Sequence, residues 1–142
     1  MALDWDEGPP AAGYRQTERL EIYKAQADRL LAEGRAYRCR CTAQALDALR
    51  REAQQRGETF RYPGTCRDLA VPASEPSALR LRIAADGETV VEDAIHGRVT
   101  FDHTQLDDWI LVRTDGTPTY NFCVVVDDVT MEITHVIRGN DH

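Results

Sequence analysis

Apolar residues between positions 14 and 34 recur at three- and four-residue steps. Leu20, Tyr23, Ala27, Leu30 and Leu31 share one face and charged residues fill the other, which predicts a helix. Gly34 stands where a left-handed cap would end it. A second helix is predicted from a Thr42 cap to about Arg56, with Leu46, Leu49 and Ala53 on its apolar stripe and Gly57 as its stop. Between the two helices, residues 36–41 read as a short extended segment.

From Phe60 the texture changes. Tyr62-Pro63-Gly64-Thr65-Cys66 signals a turn, and residues 71–76, with two prolines, read as loop. Residues 78–83 alternate Leu79, Leu81 and Ile83 against Arg80 and Arg82, the period of a strand. Residues 89–95 and 98–101 pair around His96-Gly97, and residues 109–113 and 119–126 read as hairpin arms around Thr114-Asp115-Gly116-Thr117-Pro118. Cys123-Val124-Val125-Val126 is apolar on both faces, as in a strand covered on both sides, and 133–137 reads as a last strand. The expected class is α/β, with a mixed α+β middle inserted between layers that belong together.

The chain has 142 residues, 42% hydrophobic and 29% charged, enough for one domain with a core. It has neither an apolar run of membrane length nor, in its acidic first residues, the pattern of a signal peptide. A cytoplasmic monomer without a membrane partner is expected. The net charge of −7 at first argues against nucleic acid, but it is unevenly spread. Residues 35–67 hold eight arginines against three acids, whereas residues 68–142 stand at −9. Arg35, Arg38, Arg40, Arg50, Arg51, Arg56, Arg61 and Arg67 thus form a basic island, readable as a phosphate-binding patch or as an ordinary solvated face.

Three of the four cysteines follow a C-x-C-x24-C pattern at Cys39, Cys41 and Cys66. In an extended strand residues i and i+2 face the same way, so the first pair shares one side. Zinc favours such thiolate-rich tetrahedral sites, with Asp68, Tyr62 or water left as the fourth ligand. Reduced cysteines without a metal are the competing reading. Cys123 is expected in the core.

The chain resembles glutamyl-tRNA synthetase, a class I aminoacyl-tRNA synthetase. The resemblance rests on Leu3-Asp4-Trp5-Asp6-Glu7-Gly8-Pro9, Tyr14-Arg15-Gln16-Thr17-Glu18-Arg19, the turn Tyr62-x-Gly64-x-Cys66-Arg67, and Leu106-Asp107-Asp108. It continues through Arg113-Thr114-Asp115-Gly116-Thr117-Pro118-Thr119-Tyr120-Asn121-Phe122, Val125-Val126-Asp127-Asp128, and Ile133-Thr134-His135-Val136-Ile137-Arg138-Gly139-Asn140-Asp141-His142. It implies a Rossmann-type catalytic domain interrupted by an insertion that binds the tRNA acceptor stem. Residues 1–36 would be a helical piece of the catalytic domain, 37–118 the insertion with a zinc knuckle at 39–68, and 119–142 the return into a parallel catalytic sheet.

The activity so implied is glutamate activation with ATP and magnesium, then transfer to the 3′ end of tRNA(Glu). The family's two ATP signatures, of the His-Ile-Gly-His and Lys-Met-Ser-Lys-Ser types, are absent, so the chain reads as an internal piece, inactive alone and without a catalytic residue of its own. Adenylation needs no protein nucleophile, only positioning and charge stabilisation. The resemblance places Tyr120 and Arg138 on glutamate, although Val124 stands where some members carry asparagine. It makes structural zinc at Cys39, Cys41, Cys66 and Asp68 the expectation, while a related glutamyl-queuosine synthetase pattern would use Tyr62 instead. Arg38, Arg40, Arg50, Arg61 and Arg67 become the RNA-binding candidates. Asp127-Asp128 is expected to end a strand, and His135 is given no role. A queuosine-modifying paralogue and a non-catalytic zinc-stabilised RNA-binding module are the alternatives.

Overall fold

The computed structural model describes residues 13–139. The Leu3–Pro9 motif and the Asn140-Asp141-His142 end therefore lie outside the described residues. A 3-10 turn at Gln16–Glu18 leads into helix α1 (Leu20–Ala32), strand β1 (Ala36–Cys39) and helix α2 (Ala43–Gln55). After a long loop come β2 (Ala78–Leu81), β3 (Glu88–Asp93), β4 (Gly97–Asp102), a 3-10 turn at His103–Gln105, β5 (Ile110–Val112) and helix α3 (Tyr120–Thr130). No helix among the described residues is long and apolar enough to cross a membrane.

The helix punctuation works as the pattern predicts. Gly34, at φ 69°, donates to the Leu31 carbonyl, and Arg35 donates to that of Leu30, a double bond that closes α1. Thr42 accepts from the Ala45 N–H, capping α2. Gly57 ends α2 as Gly34 ends α1, with φ 70°.

The strands form two antiparallel sheets, one ordered β1-β2-β5 and the other the β3-β4 hairpin. In the first, Tyr37 lies opposite Arg80 and Cys39 opposite Ala78. Side chains alternate across this sheet, so it has two covered faces. Ala36, Leu79 and Leu111 pack with Tyr23 and Ala27 of α1 and Phe122, Cys123 and Val126 of α3. Tyr37 and Cys39 turn the other way, to Leu46 of α2 and to Tyr62 and Cys66 of the loop.

The region after residue 118 differs from the expectation. The turn at 114–118 forms, with Val112 bridged to Pro118, but its return arm is helix α3 rather than the strand read over 119–126. A valine run favours strands, and an apolar stretch this short does not fix its period. The burial does: Phe122, Cys123 and Val126 face inward at helical spacing, while Val125 and Val129 are exposed. Residues 133–139 have no regular structure, so the strand read at 133–137 is absent, and no described strand is parallel. Asp127, read as a strand end, sits inside α3, where its carboxylate accepts from Arg19 Nε at 2.7 Å and from the Tyr23 hydroxyl at 2.8 and 2.9 Å. The pair clasps α1 to α3.

Candidate metal centre and nucleic-acid face

Cys39 ends β1 and Cys41 directly precedes the Thr42 cap, so strand alternation turns both sulfurs to one side. Cys66 reaches them from the turn that begins at Gly64. The three Sγ atoms lie within 4.8 Å of one another, and Cys39 and Cys66 are each 2% exposed. Tyr62 comes with them. Its hydroxyl oxygen is 3.2 Å from Cys39 Sγ and 3.6 Å from Cys41 Sγ, and it accepts from the Cys66 N–H at 3.1 Å. The ring is held from behind, because the Tyr62 N–H donates to both Asp107 carboxylate oxygens.

These spacings suit a tetrahedral cation. Zinc–sulfur bonds of about 2.3 Å put neighbouring sulfurs about 3.8 Å apart, and a phenolate oxygen at about 2.0 Å would lie about 3.5 Å from each. Cys41 and Cys66 are 3.7 Å apart, and the two Tyr62 distances bracket the second value. Asp68 is elsewhere. Its side chain is 89% exposed and accepts from Arg82 at 3.1 Å, so the structure gathers Tyr62, not Asp68, with the three sulfurs.

Protonation without a cation is divided. Burial works against the Cys39 thiolate, but Tyr62, the Cys41 N–H and the Arg80 guanidinium outweigh it and hold the thiol below its ordinary range. Burial pushes the Cys41 thiol up to about 11, and burial with the Cys39 sulfur raises the Tyr62 phenol far above its usual range. A bound divalent cation would draw off the remaining protons.

Around this cluster runs a charged frame. Asp108, 6% exposed, accepts from Tyr37 Oη at 2.7 Å, Arg67 Nη1 at 2.8 Å and the Ile83 N–H at 3.0 Å. Burial, then this carboxylate, pushes the Tyr37 phenol well above its ordinary range. Arg67, one of the RNA candidates, is held by Asp108 and is also bonded to the Ile83 carbonyl. The guanidinium of Arg80 lies 3.7 Å from the Tyr62 ring centroid, and that of Arg82 5.3 Å from the Tyr37 ring.

The profile of class I tRNA synthetases (E and Q), catalytic domain, matches residues 1–142. The chain belongs to this family. It is 51% identical to the glutamate–tRNA ligase of Thermodesulfovibrio yellowstonii over 142 residues and 52% identical to that of Geobacter sulfurreducens over 143. All of the chain and 30% of each relative are covered, so it spans under a third of their length. A solved glutamate tRNA ligase from Elizabethkingia meningosepticum, in complex with its amino acid, superposes with a TM-score of 0.83 at 35% identity. That match covers 96% of this chain and 31% of the other. The α/β class of the synthetase catalytic domain is thereby established.

Within this synthetase domain the remaining candidates are spread out. Tyr120 opens α3 and is 71% exposed. Arg138 is exposed in the segment after α3, and no hydrogen bond or ion pair among the described residues joins the two. Arg40 is 3.4 Å from Glu75, Arg50 pairs with Asp47 and covers the Phe60 ring, and Arg61 donates to the Thr104 carbonyl. Arg38 is half-buried on β1, on the face of Ala36 rather than that of Cys39. His135 contacts only Thr134 Oγ1 among the described residues and remains without a role. Cys123 is buried in the core as expected, though on a helix.

Sequence reasoning missed Asp107, Asp108 and Arg80. The first two lay inside a recognised motif without a role, and burial of an Asp is not visible in an acidic stretch. Arg80 sits at an inward position of a strand whose alternation was read correctly. A charged residue there was itself the signal, because its neighbours Leu79 and Leu81 already serve the opposite face.

Proposed function

We propose that this chain is part of a glutamate–tRNA ligase, which activates glutamate with ATP and magnesium and transfers it to the 3′ end of tRNA(Glu). Identity near 50% along the whole chain to proteins of that name carries the reading. The test is a chimera in which this chain replaces the matching segment of the Geobacter sulfurreducens enzyme. It should charge tRNA(Glu) with glutamate, and a folded chimera that charges no tRNA overturns the reading. A chimera that glutamylates queuosine-bearing tRNA instead would favour the paralogue.

The cluster holds a structural zinc on Cys39, Cys41, Cys66 and Tyr62. A bound zinc cross-links the end of β1 to the distant turn and supplies folding energy where the apolar core is small. Protein purified without chelator should contain about one zinc per chain. No zinc, with three freely titrating thiols, would sink this assignment.

Tyr120 and Arg138 serve glutamate: the hydroxyl donates to the substrate, and the guanidinium fork suits a carboxylate. Arg138 lies in the segment after α3, and Arg138→Lys should raise KM for glutamate in the chimera. The acceptor end of tRNA crosses Arg40, Arg50 and Arg61, with Arg38 at its margin. Binding through such contacts falls steeply with salt. Affinity independent of salt would make the arginines ordinary surface. The domain limits at about 37 and 118 follow the same family map, and the chain acts in the cytoplasm as part of a monomer.

A further inference from the structure

Arg80 lies outside the basic island and outside every motif that led to the family, and its position is unusual. It is 6% exposed, which for an arginine calls for an anionic partner. Among the described residues it has no ion pair. Its Nη1 donates to a backbone carbonyl, that of Asp108, at 2.6 Å, and its Nε is buried with no hydrogen-bond partner. The one nearby buried carboxylate is taken, since Asp108 is already shared by Tyr37, Arg67 and the Ile83 N–H. Arg80 faces the Tyr62 ring, 3.7 Å from its centroid, whose oxygen stands among the three sulfurs, and its guanidinium also reaches the Cys39 sulfur.

The two anomalies are complementary. Three thiolates and a phenolate around a divalent cation leave two net negative charges in a buried place, and a charge there needs compensation. A buried guanidinium in no ion pair among the described residues stands over the Tyr62 ring and beside the Cys39 sulfur. A cation over a ring face is attracted to the ring, and the attraction grows when the ring bears a phenolate.

We propose that Arg80 is the counter-ion of the metal centre and the residue that makes Tyr62 usable as its fourth ligand. The inference rests on the zinc reading given above. Arg80 is a positioning residue: it acts through the Tyr62 ring and on the Cys39 sulfur, and not as a ligand. Leu81 or Leu79 could not replace it by register, because both point to the opposite face.

The test is zinc affinity of the full chain, measured by competition with a chromophoric chelator, together with the visible spectrum after cobalt(II) loading. The parent chain is measured first. If it takes up no metal, the zinc reading falls and this inference with it. Given a parent that binds, Arg80→Met and Arg80→Gln should each weaken zinc binding by about 10–100-fold, as loss of an outer partner does at such sites. Arg80→Lys, which keeps the charge, should lose less than about tenfold. In a Tyr62→Phe background, Arg80→Met should cost less than it does in the parent, because only its direct effect on Cys39 remains. The saturated cobalt spectrum of Arg80→Met should also resemble that of Tyr62→Phe. Neutral variants that bind as tightly as the parent overturn the proposal. So does an equal loss with and without the Tyr62 hydroxyl, which would make Arg80 a general packing residue. If the methionine variant fails to fold, the glutamine and lysine pair decides the same question.

Discussion

One three-stranded sheet separates two kinds of interior. On one face α1 and α3 close an apolar cluster of Tyr23, Ala27, Leu79, Leu111, Phe122 and Val126. On the other, five buried residues gather around sulfur and phenol oxygen, with arginines stacked on two of the rings. The first face is held by area removed from water, which needs no exact partner. The second has little area and depends on matched charges, so each loss there exposes an unpaired group. The lesson is that robustness and dependence on matched charges are divided across one sheet.

Removal of the proposed zinc is the sharpest way to break this comparison. A chelator in excess should cost on the order of several kcal/mol on the sulfur face, since binding energy at a small structural site is folding energy. Hydrogen exchange should accelerate across 37–41 and 60–68 and stay nearly unchanged across α1. Equal acceleration on both sides would show that the sheet couples the two interiors into one unit.

Next in size is Asp108→Ala. It strands the Arg67 guanidinium, the Tyr37 hydroxyl and the Ile83 N–H together. Removing one partner of a buried pair typically costs about 3–5 kcal/mol, read as a shift in urea midpoint. Arg67 is 26% exposed on its side chain, so water should relieve part of this and the lower end is expected. A loss below about 1 kcal/mol would mean that the frame is decoration around the metal site.

The two interiors also differed in how well they could be read from sequence. The helix caps at Gly34, Thr42 and Gly57 are local chemistry, and local chemistry is visible in a string. So is the sharing of one side by Cys39 and Cys41, a consequence of strand geometry. Two things were not local. The helical state of 120–130 is chosen by the face that α1 and the sheet offer to Phe122, Cys123 and Val126. The placing of Tyr62 rather than Asp68 beside the three sulfurs depends on a carboxylate 45 residues away, Asp107, which fixes the Tyr62 backbone, while Arg82 draws Asp68 outward. Spacing within a motif names candidates, and distant partners decide among them.

On the apolar face the clasp at Asp127 is a polar device, and Tyr23→Phe isolates it. Loss of a hydrogen bond to a charged group should cost about 1–3 kcal/mol near neutral pH. The pH dependence has a definite sign. Burial, then Asp127, pushes the Tyr23 phenol up to about 12, above its ordinary 10. The stabilising difference is therefore whole below pH 10 and disappears as pH rises from about 10 to 12, because the unfolded chain ionises first. The gap between parent and variant should shrink over that window. A constant gap through pH 12 would remove the clasp from the account.

The smallest expected effect concerns the end of α3 and sharpens the comparison from the apolar side. All three long helices close with the same double bond: Glu132 donates to the Val129 carbonyl and Ile133 to that of Asp128, as Gly34 and Arg35 do at α1. The residue in the left-handed position is glycine at α1 and α2 but glutamate at α3, with φ 56°. A side chain there costs roughly 1–2 kcal/mol, against which glycine gives back up to about 1 kcal/mol through its freer unfolded state. Glu132→Gly should thus stabilise the chain by about 0.5–1 kcal/mol, seen as a higher urea midpoint at unchanged slope. Because the buried residues of α3 pack into the apolar cluster, metal affinity should not move. A variant that gains stability and also binds zinc more tightly would show that the end of α3 communicates with the sulfur face through β5, and the division across the sheet would no longer hold.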